Sequence, residues 1–98
     1  MSRRPLLEVV DPAGRRVILD EAAVAHVLAS HREMAAFWAE VLGTVRTPDS
    51  IEQDPRPGRE RYLKRSIGPS AWLMVVVDFN WRLPRIVTAY PTRKRPRR

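Results

Sequence analysis

Two histidines, five residues apart, are the side chains of this sequence best suited to proton transfer. Imidazole gains and loses a proton near neutral pH, so His26 or His31 could serve as a general acid or base. Their spacing differs from the i, i+4 spacing at which two histidines of one helix bind one metal ion. We therefore expect neither a metal nor another cofactor. Isolated histidines are more often surface or packing residues, and the spacing by itself does not assign catalysis.

A basic segment in the middle of the chain is suited to binding phosphate. Residues 56–65 carry a net charge of +4. Successive side chains of a strand alternate between its two faces. Here both faces offer cations: Arg59, Arg61 and Arg65 lie on one, and Lys64 lies on the other beside the phenol of Tyr62. A guanidinium binds two phosphate oxygens at once and stabilises charge that develops on them. The alternation does not decide which face is exposed, and an ordinary solvated face is the alternative.

Two hydroxyl groups share one face of the last strand that the sequence predicts. Thr88 and Tyr90 could hydrogen-bond a phosphate or stack against a base. Their high β-propensity explains them equally well without any function. Together with an imidazole and the arginines, they complete what metal-free RNA cleavage requires. These requirements are a base for the ribose 2′-hydroxyl, cations for the non-bridging oxygens and a donor for the leaving oxygen.

The composition is that of one small globular domain. Of 98 residues, 44% are hydrophobic and 30% are charged, which excludes collagen-like and wholly disordered proteins. The chain has no cysteine, which excludes disulfides, iron–sulfur clusters and cysteine nucleophiles. The longest apolar run, residues 71–77, is too short to span a membrane. We expect a cytoplasmic protein with no membrane partner.

The positive charge is concentrated at the end of the chain. The net charge is +7, and residues 93–98 supply five of these charges. We expect residues 1–92 to form the domain and residues 93–98 to form a basic, disordered tail. Clusters of this kind attract phosphate, whether of RNA, DNA or lipid headgroups, and a merely solvated tail is the alternative.

Helical periodicity predicts two helices in the first half of the chain. Asp20 is placed to cap a helix that runs to about Ala29. The segment Ser30–Glu33 matches the capping box and predicts a second helix that ends at Gly43. His31 would then lie in the first turn of that helix, among backbone amides that favour an anion.

After residue 49 the pattern changes to the alternation that is typical of strands. Four strands are predicted: Ser50–Gln53, Arg59–Ser66, Ala71–Phe79 and Arg85–Tyr90. In Ala71–Phe79, the alternate residues Leu73, Val75 and Val77 form the better core set. The short turns favour antiparallel neighbours. The fold class is therefore α+β: two N-terminal helices packed on a four-stranded antiparallel β-meander. Before them, Leu6–Val10 and Val17–Leu19 form either a short hairpin or two edge strands.

The order of these segments resembles the phage-associated group of the barnase–EndoU–colicin–RelE (BECR) ribonuclease fold. The resemblance covers residues 17–91. It rests on His26, His31-Arg32-Glu33, residues 47–51, Arg61-Tyr62, residues 72–77 and, most recognisably, Ile86–Tyr90. Members are small toxin nuclease domains with N-terminal helices on a four-stranded antiparallel sheet. The family often has His-Pro-Glu where this chain has His31-Arg32-Glu33, and the missing proline removes no chemical group.

The resemblance implies roles for particular residues. His31 would be the catalytic histidine and His26 a second candidate. The basic and aromatic positions of the family fall on Arg61, Tyr62 and Lys64. Its polar position in the last strand falls on Thr88, with Tyr90 following. A toxin of this kind also implies an antitoxin or immunity protein as partner, whose acidic segment would cover the basic residues.

We therefore expect a metal-independent endoribonuclease, toxin-like or prophage-derived, that cleaves RNA by 2′-hydroxyl attack to a 2′,3′-cyclic phosphate. The expected catalytic residues are His31, Arg61, Lys64, Thr88 and His26. The expected substrate-binding residues are Arg59, Tyr62, Tyr90 and Arg65. The alternative is a non-catalytic nucleic-acid-binding or protein-interaction domain that uses the same basic strand and tail.

Overall fold

The computed structural model describes residues 3–65 and 67–93, so residues 94–98 of the predicted tail lie outside the described part. The elements, in chain order, are β1 Pro5–Val10, β2 Arg16–Asp20, α1 Glu21–Ser30, a 3-10 helix Arg32–Ala36, α2 Trp38–Arg46, β3 Ser50–Gln53, β4 Arg59–Arg65, β5 Trp72–Asp78 and β6 Arg85–Thr92.

All six of these strands belong to one mixed sheet, in the order β1-β2-β6-β5-β4-β3. Strands β3 to β6 pair antiparallel with their sequence neighbours, as do β1 and β2. Strand β2 pairs parallel with β6, where Ile18 N–H donates to the Pro84 carbonyl at 2.9 Å. The predicted architecture, two helices on a four-stranded antiparallel meander, is therefore wrong.

The buried strand β2 explains this error. Val17, Ile18 and Leu19 are each at most 1% exposed. A strand whose consecutive residues are all buried is covered on both faces, as is typical of a strand inside a sheet. The hairpin therefore extends the sheet beyond β6, because an isolated hairpin would leave this apolar run in water.

Asp20 joins three elements at the end of β2. Its Oδ1 accepts from Ala23 N–H at 2.8 Å, which confirms the predicted N-cap of α1. Its Oδ2 accepts from Arg85 Nη1, at the start of β6, at 2.7 Å. Arg85 Nε is buried and has no hydrogen-bond partner in the described part of the chain. Asp20 is therefore the carboxylate that neutralises this largely buried guanidinium.

The capping-box interpretation of Ser30–Glu33 is wrong. Ser30 is the last residue of α1, so its backbone is helical and lacks the extended conformation that an N-cap needs. His31 follows in a linker, where its N–H donates to the Val27 carbonyl at 2.7 Å. The 3-10 helix then buries Met34, and α2 begins only at Trp38. His31 consequently does not lie at the N-terminus of an α-helix.

The two faces of the sheet have different surroundings. One face packs against α1 and α2 and holds the main core, to which β5 contributes Leu73, Val75 and Val77 as predicted. On the other face, Leu63, Met74 and Val76 form a smaller core. No helix of the main core covers this second face, which we call the open face. The polar residues of β4 and β6 that share it are therefore available to a ligand.

A buried polar network ties the hairpin turn to the middle of the sheet. The Tyr62 phenol, fully buried, donates to Asp11 Oδ2 at 2.7 Å. Arg15 pairs with Asp11 and with Glu60, each at 2.8 Å. Burial by itself would raise the pKa of the Asp11 carboxyl, but hydrogen bonds from Tyr62 and Arg15 outweigh it and hold the pKa below its usual range. Tyr62 is thereby fixed on the helix-covered face.

Replacing Asp20 tests its role as the junction of β2, α1 and β6. Asp20→Ala removes the helix cap and leaves Arg85 unpaired, so we expect a loss of about 3–5 kcal/mol in the free energy of unfolding. Asp20→Asn keeps the acceptor for Ala23 and should lose less. Urea unfolding followed by circular dichroism measures both. Glu8→Gln, in the exposed pair with Arg16, is the matched control and should resemble the wild type. Equal stability of Asp20→Ala and the control would contradict this role.

The Asp11 network predicts a loss of stability in acid. Because the pKa of Asp11 is lower in the folded chain than in the unfolded chain, its contribution is complete above the unfolded value, about 4. It disappears as the pH falls through the lower, folded value. Tyr62→Phe removes one of the hydrogen bonds that lower this pKa. The free energy of unfolding of this variant should therefore be smaller than that of the wild type at pH 7, by roughly 1 kcal/mol. It should also decrease less than that of the wild type between pH 5 and pH 2. Urea unfolding at a series of pH values measures this. Parallel pH profiles for the two proteins would refute the assignment.

Candidate functional site

A cavity of about 510 Å³ lies on the open face of the sheet. It brings together side chains from α1, from β4 to β6 and from the loop between β3 and β4. Its lining residues are His26, Asp54, Pro55, Arg56, Arg59, Arg61, Val76, Val87, Thr88 and Tyr90. Five of these were predicted as site residues from the sequence: His26, Arg59, Arg61, Thr88 and Tyr90.

Strand alternation places the polar residues of β4 and β6 in this cavity. In the register, Arg61 lies beside Val76, and Val76 lies beside Thr88, so the three side chains share one face. The register shifts between Val76 and Val77, which inserts Val87 as an extra residue in β6. His26 reaches the same cavity from α1, whose residues Ala23 and Val27 turn toward the main core.

Carboxylates on neighbouring segments orient two of the arginines. Arg59 Nε lies 3.3 Å from Asp78 Oδ2, and Arg61 Nε lies 2.8 Å from Asp54 Oδ1. A guanidinium has five N–H donors, so a bond at Nε leaves the terminal amino groups as further donors. These pairs hold both side chains in place at the sheet surface, which reduces the entropy lost when a ligand binds.

Both carboxylates stay ionised to unusually low pH. Burial opposes this, but the backbone N–H of Arg56 and the Arg61 guanidinium lower the pKa of Asp54 below its usual range. For Asp78, burial is likewise outweighed by hydrogen bonds from Asn80 and by Arg59, so its pKa is also lowered. The ion pairs therefore persist at every pH at which the protein is expected to work.

Arg56 gives the cavity its excess of positive charge. Its side chain is exposed and forms no ion pair with any residue in the described ranges. Three arginines, against the single carboxylate of Asp54, line the cavity. Arg56 was not singled out from the sequence, although it lies in the basic segment 56–65 that the charge distribution had identified. The arrangement suits a ligand with more than one negative charge.

The two histidines occupy different positions relative to the cavity. His26 lines it, is exposed, and forms no hydrogen bond within residues 3–65 and 67–93. His31 does not line it, and instead stacks on Tyr90 with ring centroids 5.7 Å apart and an interplanar angle of 24°. The Tyr90 phenol donates to Met74 Sδ at 2.9 Å. His31 can therefore influence the cavity only through the position of the Tyr90 ring.

Besides His31, three residues predicted for the site lie elsewhere. Tyr62 belongs to the buried network on the helix-covered face, which Lys64 shares by strand alternation. Lys64 Nζ donates to the Thr47 carbonyl at 2.6 Å. Arg65 is on the open face, but its guanidinium lies 5.2 Å from the Trp72 ring and outside the cavity lining. The structure therefore brings together the arginine face of β4 and not the Tyr62–Lys64 face.

Two further findings concern the described part of the chain. No three His, Asp or Glu side chains in it are grouped as a metal ion would require. None of its helices combines the length and apolar character that crossing a membrane demands.

Comparisons of the chain with protein-family models, with curated proteins and with solved structures found no match in any of the three. The resemblance to the BECR ribonucleases therefore stays a prediction. The function has to be inferred from the chemistry of the cavity.

The oriented arginines predict an anion site in this cavity. Arg59→Ala and Arg61→Ala should each weaken the binding of pyrophosphate by about tenfold or more, because each removes charge-assisted hydrogen bonds. Isothermal titration calorimetry measures the dissociation constants. Arg46→Ala, an exposed arginine at the end of α2, is the matched control and should bind like the wild type. The same affinity in all four proteins would show that pyrophosphate does not bind in this cavity.

Proposed function

We propose that this protein is a metal-independent endoribonuclease and that the cavity on the open face is its active site. The observation that supports the proposal is that His26, two oriented arginines and Tyr90 converge on one cavity from three different elements. These are the groups that cleavage of RNA through its own 2′-hydroxyl requires: a base, cations for the phosphate and a proton donor.

The proposed reaction begins with the scissile phosphate between Arg59 and Arg61. His26 takes the proton of the 2′-hydroxyl, whose oxygen then attacks the phosphorus. The guanidinium groups stabilise the charge that develops on the non-bridging oxygens. The bond from phosphorus to the 5′-oxygen breaks, which leaves a 2′,3′-cyclic phosphate and a 5′-hydroxyl end.

The leaving 5′-oxygen needs a proton, and Tyr90 is the residue we assign to supply it. Its phenol lines the cavity, and its hydrogen-bond partner, the Met74 thioether, is only a weak acceptor. His31 stacks on the Tyr90 ring and is assigned as a positioning residue. This assignment gives the role of base to His26, and Lys64 has none because it lies on the opposite face.

The positive charge of the chain supports two further parts of the proposal, the attraction of RNA and the binding of an acidic partner protein. The basic segment and residues 93–98 would attract RNA by releasing counterions, without selecting a base sequence. We propose a cytoplasmic, toxin-like protein, and an antitoxin whose acidic segment binds over the arginines of the cavity.

One observation favours the alternative, a non-catalytic nucleic-acid-binding domain. A catalytic histidine is usually oriented by a hydrogen bond from its second ring nitrogen, and His26 makes none within the described part of the chain. In that case the same arginines and Tyr90 would hold RNA without cleaving it.

Cleavage of RNA in the presence of EDTA separates the two functions. The wild type should cut RNA, whereas His26→Ala should be slower by about 10²- to 10⁴-fold, the usual contribution of a general base. Both proteins should bind a 2′-deoxy strand, which cannot be cleaved by this route, with nearly equal affinity. Gel analysis of the products, with a test for cyclic phosphate ends, measures this.

His31→Ala is the matched comparison, since it changes the other histidine of the chain. It should lose less activity than His26→Ala, because it removes only the ring that supports Tyr90. Equal cleavage by the wild type and His26→Ala would exclude His26 as the base. If the wild type binds RNA and does not cleave it, the protein is the binding domain instead.

A further inference from the structure

A second, smaller cavity adjoins the first on the same face of the sheet. Its volume is about 250 Å³, and it shares His26, Arg59 and Val87 with the first cavity. Its remaining lining includes the guanidinium groups of Arg3 and Arg85, the carboxylates of Asp20 and Asp78, and the indole of Trp81. The shared residues make the two cavities one continuous groove. A strand that places a phosphate at Arg59 and Arg61 therefore extends into the second cavity.

Trp81 is an aromatic side chain placed at the surface of this second cavity. It is 38% exposed, which is unusual for so large an apolar ring. Its contacts are with cations: Arg85 lies 4.4 Å and Arg3 lies 4.7 Å from the ring centroid. Arg85 is fixed by Asp20, whereas Arg3 is exposed and has no ion pair among the described residues. Arg3 is therefore free to leave the ring for a phosphate.

The turn that carries Trp81 is held in place by its neighbours. Asn80 donates from its side chain to the Pro57 carbonyl at 2.9 Å, and Phe79 N–H donates to the Gly58 carbonyl at 2.8 Å. Gly58 has a φ of +79°, and a side chain there would collide with Asn80. The loop with Arg56 and the turn with Trp81 are thus joined, so the groove is formed before any ligand arrives.

From this arrangement we infer that the second cavity binds the nucleotide next to the cleaved phosphate. Its base stacks on the indole of Trp81, and Arg3 contacts its phosphate, while Arg85 stays paired with Asp20. The inference rests on the proposed function, because it names a second contact of the same RNA strand. Trp81 acts here as a substrate-binding residue and takes no part in the proton transfers.

The groove favours single-stranded over double-stranded nucleic acid. Aromatic rings stack on bases, and in a duplex the faces of the bases are covered by their neighbours. Arg85 and Tyr90 lie opposite Asp78 and Met74, which are four residues apart on β5 because Val87 is an extra residue in β6. This separation corresponds to roughly 13 Å along the strand, and Arg85 lies against the Trp81 ring at one end of it. This length leaves room for more than one nucleotide between the two aromatic rings. A groove with cations along it and aromatic rings at intervals is typical of proteins that bind single strands.

The test uses 2′-deoxy hexanucleotides labelled with a fluorophore, so that binding is measured without cleavage. Trp81→Leu should weaken binding about tenfold, as expected for the loss of one base–aromatic stack, and Trp81→Phe should restore most of it. In a series of strands that each lack one base, Trp81→Leu should have no further effect on the strand that lacks the stacked base. Fluorescence anisotropy gives the dissociation constants.

Arg82→Ala is the matched control, because Arg82 lies in the same turn, is exposed and lines neither cavity. It should bind like the wild type. The inference is overturned if Trp81→Leu binds like the wild type, if Trp81→Phe is as weak as Trp81→Leu, or if the wild type binds no strand. A binding result as expected, with no cleavage of RNA, would overturn only the ribonuclease. Cleavage together with full affinity of Trp81→Leu would overturn only this inference.

Discussion

Asp20 is the residue on which the arrangement of the sheet and helices depends. Its two carboxylate oxygens have separate partners, the first turn of α1 and the guanidinium of Arg85. The first contact determines where the chain leaves β2 and becomes helical. The second holds the start of β6 beside that point, next to the parallel pair of Ile18 and Arg85. As a result α1 runs along β6, and His26 faces the same side of the sheet as Thr88.

The two faces of the sheet use their charged residues differently. On the helix-covered face, the polar groups of Asp11, Arg15, Glu60 and Tyr62 are hydrogen-bonded to one another. On the open face, Arg59 uses Nε on Asp78, and Arg61 uses Nε on Asp54 while its Nη1 lies 3.9 Å from Glu52 Oε1. Each of these guanidinium groups still has further N–H donors. A paired guanidinium binds an anion less strongly than a free one, but it is already oriented. Arg56, without an ion pair to a described residue, adds the net charge that the paired arginines lack.

This combination gives the groove two properties that the proposed reaction needs. The oriented arginines would hold a phosphate at one position relative to His26, and reaction rates depend strongly on such positioning. The half-buried ring of Tyr90 and the exposed ring of Trp81 would add contacts that do not depend on charge, so binding would persist at salt concentrations that screen the basic residues. Charge would bring RNA to the surface, and stacking would set its register.

The features of the fold that depend only on residues close together in the chain were predicted correctly from the sequence, with one exception. The N-cap at Asp20, the alternation that places Arg59 and Arg61 on one face, and the core set of Leu73, Val75 and Val77 all depend on residues close together in the chain. The capping-box prediction at Ser30–Glu33 was wrong, although it depends on neighbouring residues. Helix α1 continues through Ser30, and Met34 is buried in the core as part of a 3-10 helix.

Only the tertiary structure decided which groups meet. The phenol of Tyr62 finds its acceptor, Asp11, 51 residues away, and this contact turns one face of β4 inward and the arginine face outward. The pairing of β2 with β6, which replaced the predicted four-stranded meander with six strands, joins segments at opposite ends of the chain. The same pairing put His26 rather than His31 in the cavity. Periodicity shows which residues share a face, but burial against distant segments determines which face is covered.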